Sequence, residues 1–210
     1  MKENTPVHKP KVYIEVLDGG SLPRRASAEA SGYDLTASKP CRIMPGSTGL
    51  ITTGIKIALP LGYEAQIRPR SGLALKTSLR IPNSPGTIDS DYRDEIKIII
   101  HNQFLFSSLP DLLLQKPELL DYLQQQCRKS SYLAFLSATS GKNQSHNLIQ
   151  DFDIWLEEDG LPFGTIRINQ GDRVAQMVIS KSFSVEFELC DNLASVRSNR
   201  GGGFGSTGKN

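Results

Sequence analysis

The stretch Asn83-Ser-Pro-Gly-Thr-Ile-Asp-Ser-Asp-Tyr92-Arg-Asp-Glu95 decides how the rest of the chain is interpreted. It belongs to a turn-rich segment, Leu79–Glu95, which is flanked by β-type sequence and followed by Ile96-Lys-Ile-Ile-Ile100. Proline followed by glycine at positions 85 and 86 suits a hairpin whose tip exposes main-chain polar groups. Such a tip can read the edge of a nucleobase. The flanking segments therefore predict strands, and the stretch between them predicts a binding loop.

Short β-type segments continue on both sides of this loop. They are separated by glycine and proline and show no long helical period, which indicates an all-β fold. The first of them, Lys11–Leu17, alternates apolar and polar residues as a half-buried strand does. Further strands are predicted within Cys41–Pro60 and over Tyr63–Ile67, Ile96–Ile100, Gly164–Ile168, Gln170–Ile179 and Ser182–Leu189.

Between residues 104 and 160 the composition changes from β-type to helical. Pro117 suits the first turn of a helix, and Leu119, Leu120 and Leu123 fall on one stripe of it. We therefore predict a mainly helical insertion over residues 104–160, inside a β core made of residues 11–103 and 161–196. Residues 1–10 are predicted to be a flexible leader, and residues 197–210 a flexible C-terminal arm.

Composition excludes several kinds of protein. The 210 residues have a formal net charge of +2 and no run of basic residues, so we expect no nucleic-acid polymer as ligand. No apolar run approaches the length that spans a membrane. Cys41, Cys127 and Cys190 are scattered and lack C-x-x-C spacing, which argues against a disulfide framework and a structural zinc site. We therefore expect a reducing, cytoplasmic setting.

The C-terminal stretch Arg197-Ser-Asn-Arg-Gly-Gly-Gly-Phe-Gly-Ser-Thr-Gly-Lys-Asn210 is rich in glycine. Glycine gives it no preferred shape, and it offers main-chain N–H groups, three hydroxyls, three cations and one aromatic ring. It is interpreted as an arm that wraps around phosphate. A disordered glycine tail is the alternative from composition alone.

Five stretches of the chain, taken in this order, resemble the five motifs of the trimeric dUTPase family: Ala30–Leu35, Arg68–Lys76, Asn83–Glu95, Gly171–Met177 and Arg200–Gly208. The resemblance implies a jelly-roll-like (β-clip) subunit in a homotrimer, with each active site at a subunit interface and closed by a neighbour's C-terminal arm. It also implies Mg²⁺-dependent hydrolysis of dUTP to dUMP and pyrophosphate, by attack of water on the α-phosphate. That activity limits uracil incorporation into DNA and supplies dUMP for dTMP synthesis.

The resemblance also assigns roles to individual residues. Asp89 matches the carboxylate that positions or deprotonates the attacking water, and Tyr92 matches the ring beneath the deoxyribose. Asp34 matches a carboxylate that reaches the magnesium ion through water. Uracil would be read by Asn83, Gly86 and the main chain of Thr87, Ile88 and Lys97. The phosphates would be bound by Arg70, Ser71, Gly72 and Gln176, and the arm would contribute Arg200, Phe204, Gly205, Ser206 and Thr207.

Two departures from the family pattern are visible in the sequence. The fifth motif usually reads R-G-x-G-G-F-G, and here the spacing between Arg200 and Phe204 is one residue shorter. Since an extended chain covers about 3.3–3.6 Å per residue, one of these two side chains loses reach. Asp94 stands where glycine is common in the third motif.

Three alternatives stay open from the sequence. A related dCTP deaminase would share the fold and the phosphate contacts, although the arrangement of Asp89 and Tyr92 favours dUTP hydrolysis. The leucine stripe and Trp155 of the insertion would either bind a partner protein and act in regulation or form the insertion's own small core. Asp172 and Arg173 are interpreted alternatively as a structural ion pair.

Overall fold

The structure, a computed structural model, describes residues 9–140 and 150–196 and consists mainly of short antiparallel strands. Its strands are β1 (Tyr13–Val16), β2 (Arg24–Arg25), β3 (Tyr33–Thr36), β4 (Cys41–Ile43), β5 (Thr48–Thr52), β6 (Ile55–Ala58), β7 (Tyr63–Arg68), β8 (Leu79–Arg80), β9 (Gly86–Ile88), β10 (Lys97–Asn102), β11 (Arg128–Ser131), β12 (Asp153–Leu156), β13 (Ile166–Ile168) and β14 (Arg173–Lys181). Its helices are α1 (Ser71–Lys76), α2 (Leu109–Gln115), α3 (Glu118–Gln126) and α4 (Tyr132–Ser140), with 3-10 turns at Phe106–Ser108 and Leu193–Ser195. The prediction of an all-β core is confirmed.

The largest sheet has five strands in the order β2-β3-β14-β7-β9. Its inner face is apolar, because Leu35, Ile67 and Met177 point into the core and are almost fully buried. Residues next to them in sequence point to the opposite face, since side chains alternate along a strand. The outer face of this sheet therefore carries the polar residues of β3, β14 and β7.

A second sheet, in the order β5-β10-β8, closes the core from the other side. Ile98 and Ile100 of β10 are fully buried, and Ile51 of β5 lies beside them. Buried residues of both sheets and of β6 form one continuous apolar cluster. Burial of this apolar surface is the main force that stabilises the fold.

The predicted binding loop occupies the connection between β8 and β10. These two strands pair antiparallel, with His101 opposite Arg80 and Asn102 opposite Leu79. The hairpin tip predicted at residues 85 and 86 is wrong in detail, because Gly86 belongs to β9 and pairs with Ile67 of β7 in the five-stranded sheet. The loop therefore links the two sheets, and its position is held at both ends by the core.

Two strand predictions need correction. β1 pairs with β6, but its side chains are exposed and not half-buried as the alternation predicted. Residues 182–189 do not form a strand among the described residues, although Phe183, Val185, Phe187 and Leu189 alternate with polar residues. A strand needs a neighbour for its main-chain hydrogen bonds, and none of the described strands pairs with this segment.

The insertion has its own small core. Phe135 of α4 packs with Ile154 and Leu156 of β12, and aromatic rings of the same region cover them. Segment 151–160, predicted as part of a mainly helical insertion, contains β12, which pairs with β11. Its apolar residues recur with period two, and that period belongs to a strand. The bounds 104–160 of the insertion stay a prediction.

The leucine stripe of the insertion is narrower than predicted. On α3, Leu123 is fully buried and Leu119 is half-buried, whereas Leu120 is exposed. α4 follows α3 after β11 and does not continue it. The apolar residues that pack inward support the interpretation that they stabilise the insertion.

Asn102 holds the point where the insertion leaves the β core. Its side chain is fully buried, and its Nδ2 donates to the carbonyl oxygens of Ile43 (3.0 Å) and Gly164 (2.8 Å). Its Oδ1 accepts from the hydroxyl of Ser78 (2.6 Å) and the main-chain N–H of Phe104 (3.1 Å). One amide therefore joins both ends of the insertion to the core, with four hydrogen bonds satisfied.

A second link joins the insertion to β13. Arg167 Nη2 lies 2.5 Å from Glu157 Oε2 and 2.8 Å from Asp159 Oδ2. The hydrogen bond from Arg167 lowers the pKa of Asp159 from its ordinary value, and the same bond raises the pKa of Arg167. Both partners are partly exposed, so the link orients the insertion more than it stabilises the fold. Among the described helices, none has the length and apolar character needed to cross a membrane.

Candidate functional site

The outer face of the five-stranded sheet gathers the residues predicted to hold phosphate and metal. Gln176 of β14 lies directly between Asp34 of β3 and Arg68 of β7 in the strand register. Directly opposite side chains in an antiparallel pair lie about 4.5–5.5 Å apart at Cβ and on the same face. Asp34 and Gln176, which are 142 residues apart in sequence, are therefore neighbours.

Asp34 is held by two arginines. Arg70 Nε donates to Asp34 Oδ1 at 2.9 Å, and Arg173 Nη1 donates to Oδ2 at 3.3 Å. The Asp34 side chain is only 10% exposed, whereas the Arg173 side chain is 57% exposed. Arg70 also donates to the main-chain oxygen of Arg173 at 3.3 Å. The carboxylate therefore fixes two guanidinium groups whose remaining N–H donors stay available to an anion.

This geometry corrects one alternative from the sequence. Arg173 does not pair with Asp172 among the described ion pairs, and its partner is Asp34. The Asp172 carboxylate instead accepts the main-chain N–H of Asn169 at 2.8 Å and closes the turn before β14. Arg173 therefore lies with Asp34, Arg70 and Gln176, and these four residues make up the predicted phosphate-binding group.

Ser71 and Gly72 lie in α1, a six-residue helix that the sequence analysis did not predict. Arg70 is its N-cap residue and has extended backbone angles, so the chain turns into the helix directly after the guanidinium residue. A Cβ built on Gly72 meets no atom within 4 Å. Main-chain groups at the start of this helix are therefore accessible beside Arg70.

The residues predicted to read uracil lie on and beside β9. This strand pairs only with β7 among the described strands, so one edge of Thr87 and Ile88 is open to hydrogen bonding. Gly86 is buried, and a Cβ there meets Asn83 Nδ2 at 3.2 Å. Lys97 begins β10 and pairs with Thr52. The open edge of β9 and the Asn83 amide therefore share one region of the loop.

Asp89 and Tyr92 follow β9 in a turn. The main-chain N–H of Tyr92 donates to the main-chain oxygen of Asp89 at 3.2 Å, and both side chains are exposed. The Tyr92 hydroxyl donates to the main-chain oxygen of Glu95 at 3.0 Å. Glu95 in turn accepts the main-chain N–H of Gly54 at 2.8 Å through its carboxylate. The ring is therefore held in one orientation by a chain of bonds that ends in the core.

One copy of the chain does not bring Asp89 to the phosphate-binding group. In the register, Asp89 follows Ile88, which lies opposite Ala65, while Gln176 lies opposite Arg68. Asp34 lies in the same row of the sheet as Gln176 and Arg68, and Asp89 is four residues along the strands from that row. Three strand spacings, from β3 to β9, separate the two residues in the other direction. Together these offsets place Asp89 about 20 Å from Asp34. The loop predicted to read uracil and the predicted phosphate-binding group of one chain are thus too far apart to contact the same phosphate.

The donor set around Asp34 fits a metal that is bound through water. Among the described residues, no three His, Cys, Asp or Glu side chains lie together as a metal cage does. Both carboxylate oxygens of Asp34 already accept from guanidinium groups. Since Mg²⁺ keeps several waters and takes phosphate oxygens as ligands, Asp34 fits contact with it through water.

The arm residues predicted for the site fall outside the described residues. These are Arg200, Phe204, Gly205, Ser206 and Thr207.

Sequence reasoning missed Arg24 on this face and left the role of Arg173 open. Arg24 of β2 lies directly opposite Asp34, and Arg173 donates a hydrogen bond to the Asp34 carboxylate. The pair Arg24-Arg25, placed before the segment Ala26–Gly32 that leads into β3, was the available signal for Arg24. Its meaning depends on the pairing of β2 with β3, which two residues alone do not predict.

Comparison with known proteins shows which family this chain is similar to. Residues 18–104 match the dUTPase family. A deoxyuridine 5'-triphosphate nucleotidohydrolase of Chlamydia pneumoniae is 53% identical over 93 residues, which are 43% of this chain and 64% of that protein. One of Rickettsia akari is 56% identical over 96 residues, which are 44% of this chain and 65% of that protein. The chain thus spans somewhat less than two thirds of the length of these relatives.

Solved structures agree over a longer part of the chain. The dUTPase of Staphylococcus bacteriophage 80alpha, bound to dUpNHpp, superposes with a TM-score of 0.66 at 22% identity, over 95% of this chain and 99% of that one. The dUTPase of phage phi11 of S. aureus, a structure that visualises its species-specific insert, gives a TM-score of 0.61 at 22% identity, over 88% and 99%. Residues 18–104 are therefore similar to the dUTPase family, and the chain shares the fold of these dUTPases.

Proposed function

We propose that this protein hydrolyses dUTP to dUMP and pyrophosphate, which limits uracil incorporation into DNA and supplies dUMP for dTMP synthesis. The observation that carries the proposal is the group of Asp34, Arg70 and Gln176 on one sheet face. The matched residues 18–104 contain Asp34, Arg70 and also Asp89. The relatives of that sequence are named for the same activity.

In this proposal each residue has a physical task. The guanidinium groups of Arg70 and Arg173 bind the phosphates and neutralise charge that develops on them. Asp89 accepts a proton from the attacking water, or orients that water, near the α-phosphorus. The Tyr92 ring lies under the sugar and leaves no space for a 2′-hydroxyl. Mg²⁺, held by the triphosphate and its waters with Asp34 in the outer sphere, would add positive charge next to the leaving pyrophosphate.

Nucleotide preference tests the proposal. We expect pyrophosphate release from dUTP with Mg²⁺ at a kcat/KM at least about 100-fold above that for dCTP, dTTP or UTP. Cytosine would leave groups that pair with uracil unpaired, thymine adds a methyl group to the base, and UTP adds the 2′-hydroxyl for which the Tyr92 ring leaves no space. Steady-state rates with the four nucleotides measure this. Release of ammonia from dCTP would favour a deaminase instead. Equal rates with dUTP and UTP would contradict the role of Tyr92.

We also propose that the active form is a homotrimer. The separation of about 20 Å between Asp89 and Asp34 within one chain is removed if a neighbouring copy supplies one of them. The alternating segment 182–189 supports the same conclusion, since a second copy would give it a strand partner and cover its apolar side chains. The exposed apolar residues of β1 add to the surface that such a partner would cover.

Phe187 offers a test of this assembly. It is 93% exposed in the single chain, and we expect Phe187→Glu to shift the protein from trimer to monomer and to abolish hydrolysis. Burying a phenylalanine stabilises by about 1.5–3 kcal/mol per copy, and burying an unpaired carboxylate costs more. Leu61, also 93% exposed, gives the matched control Leu61→Glu. Sedimentation of both variants measures their oligomeric state, and the control should remain a trimer. If Phe187→Glu also remains a trimer, segment 182–189 does not lie at the subunit interface.

Two smaller proposals complete this function. All three cysteines are free thiols, which suits the reducing cytoplasm that the sequence predicts. A partner protein that binds through the insertion stays a prediction, and the insertion's own core already accounts for Phe135, Ile154 and Leu156.

A further inference from the structure

We propose that Arg24 and the cavity beside Asp34 form a subsite for the terminal phosphate of a polyphosphate tail. The proposal rests on the proposed function and adds a residue outside the five motifs. The cavity has a volume of about 360 Å³. Its lining includes Arg24, Arg25 and Arg173 and one carboxylate, that of Asp34.

Strand pairing places Arg24 in the same row as the phosphate-binding group. β2 is an edge strand of the five-stranded sheet, and its residue Arg24 lies directly opposite Asp34 of the neighbouring strand β3. Gln176 lies opposite Asp34 on its other side. The order across the outer face is therefore Gln176, Asp34, Arg24, at one strand spacing each, about 4.8 Å. Arg24 is the next side chain that an extended anion meets beyond Asp34.

Positive charge exceeds negative charge around this cavity, which has three arginines and one carboxylate. The Asp34 carboxylate is engaged by Arg70 and Arg173. Arg25 donates through Nε to the main-chain oxygen of Ala30, and its guanidinium lies 5.8 Å from the ring centroid of Tyr33. Within residues 9–140 and 150–196, Arg24 has neither an ion-pair partner nor a hydrogen bond from its side chain. It is the cation of the group whose donors are all available.

The order of the row indicates which phosphate Arg24 binds. If Gln176 and Arg70 bind the tail near the reacting phosphorus, the tail runs past Asp34 toward β2. Arg24 then binds the terminal phosphate, which leaves as part of pyrophosphate. A guanidinium matches phosphate oxygens with two parallel N–H donors. Arg24 should therefore affect binding of dUTP and of pyrophosphate and leave binding of dUMP unchanged.

Calorimetric titration of the full chain with inorganic pyrophosphate tests the subsite without requiring turnover. We expect Arg24→Gln to weaken pyrophosphate binding about tenfold, as the loss of a charge-assisted hydrogen bond does, and Arg24→Lys to keep part of the affinity. Arg128→Gln removes the same charge from an exposed residue of β11 and should leave binding as in the wild type. In hydrolysis, Arg24→Gln should raise the KM for dUTP by a similar factor, with dUMP inhibition unchanged.

The outcomes separate this proposal from the proposed function. Equal pyrophosphate affinity in wild type and Arg24→Gln overturns the subsite, even if dUTP is hydrolysed. An equal loss in Arg128→Gln also overturns it, because the effect is then one of net charge. A selective loss in Arg24→Gln in a protein that does not hydrolyse dUTP keeps the subsite and overturns the proposed activity.

Discussion

Replacing Asp89 by Asn should lower kcat for dUTP about 10³- to 10⁴-fold, while the affinity for the nucleotide stays nearly unchanged. Asparagine keeps the shape of the side chain but does not accept a proton from water, and general-base catalysis contributes about 10²–10⁴-fold to the rate. Asp89 is exposed in a turn whose main-chain oxygen accepts from Tyr92, so the substitution leaves the loop intact. Single-turnover hydrolysis and equilibrium binding of a non-hydrolysable dUTP analogue separate the two effects.

Asp94 provides the matched control for this variant. It lies in the same loop, is exposed, and replaces a glycine common in the family motif. Asp94→Asn should therefore hydrolyse dUTP at the wild-type rate. A loss of turnover in Asp94→Asn equal to that in Asp89→Asn would mean that the charge of the loop matters and that Asp89 has no specific role.

The second large effect is expected on stability, at Asn102. Asn102→Ala should lower the free energy of unfolding by about 3–5 kcal/mol, because it removes the partner of two main-chain oxygens, one main-chain N–H and one hydroxyl in the core. Denaturant unfolding followed by tryptophan fluorescence measures it, since Trp155 lies in the insertion that Asn102 ties to the core.

The neighbouring amide provides the control for Asn102. The side chain of Gln103 is exposed, so Gln103→Ala should change the free energy of unfolding by less than about 0.5 kcal/mol. If Asn102→Ala unfolds at the wild-type denaturant concentration, the insertion is not held by this amide.

The same residue illustrates how far prediction from sequence reaches. Asn102 follows the apolar segment Ile96–Ile100, and the sequence gives no sign that its side chain is fully buried. Its four hydrogen-bond partners lie elsewhere in the chain: Ile43, Ser78, Phe104 and Gly164. Hydrogen bonds between residues so far apart in sequence leave no periodic pattern. The insertion's strand β12 was missed for a different reason, since its period-two signal is only four residues long.

The sequence by itself determined the all-β fold class and indicated the change to helices after β10, and its site residues stay predictions. These predictions depend on strand periodicity, turn residues and the order of the motifs, which can be seen in the sequence without knowledge of tertiary contacts. The tertiary structure alone decided that Arg24 and Arg173 face Asp34, that β9 joins the five-stranded sheet, and that Asp89 lies about 20 Å from Asp34 within one chain. Strand order and register are set by packing between distant segments, so no single segment of the sequence encodes them.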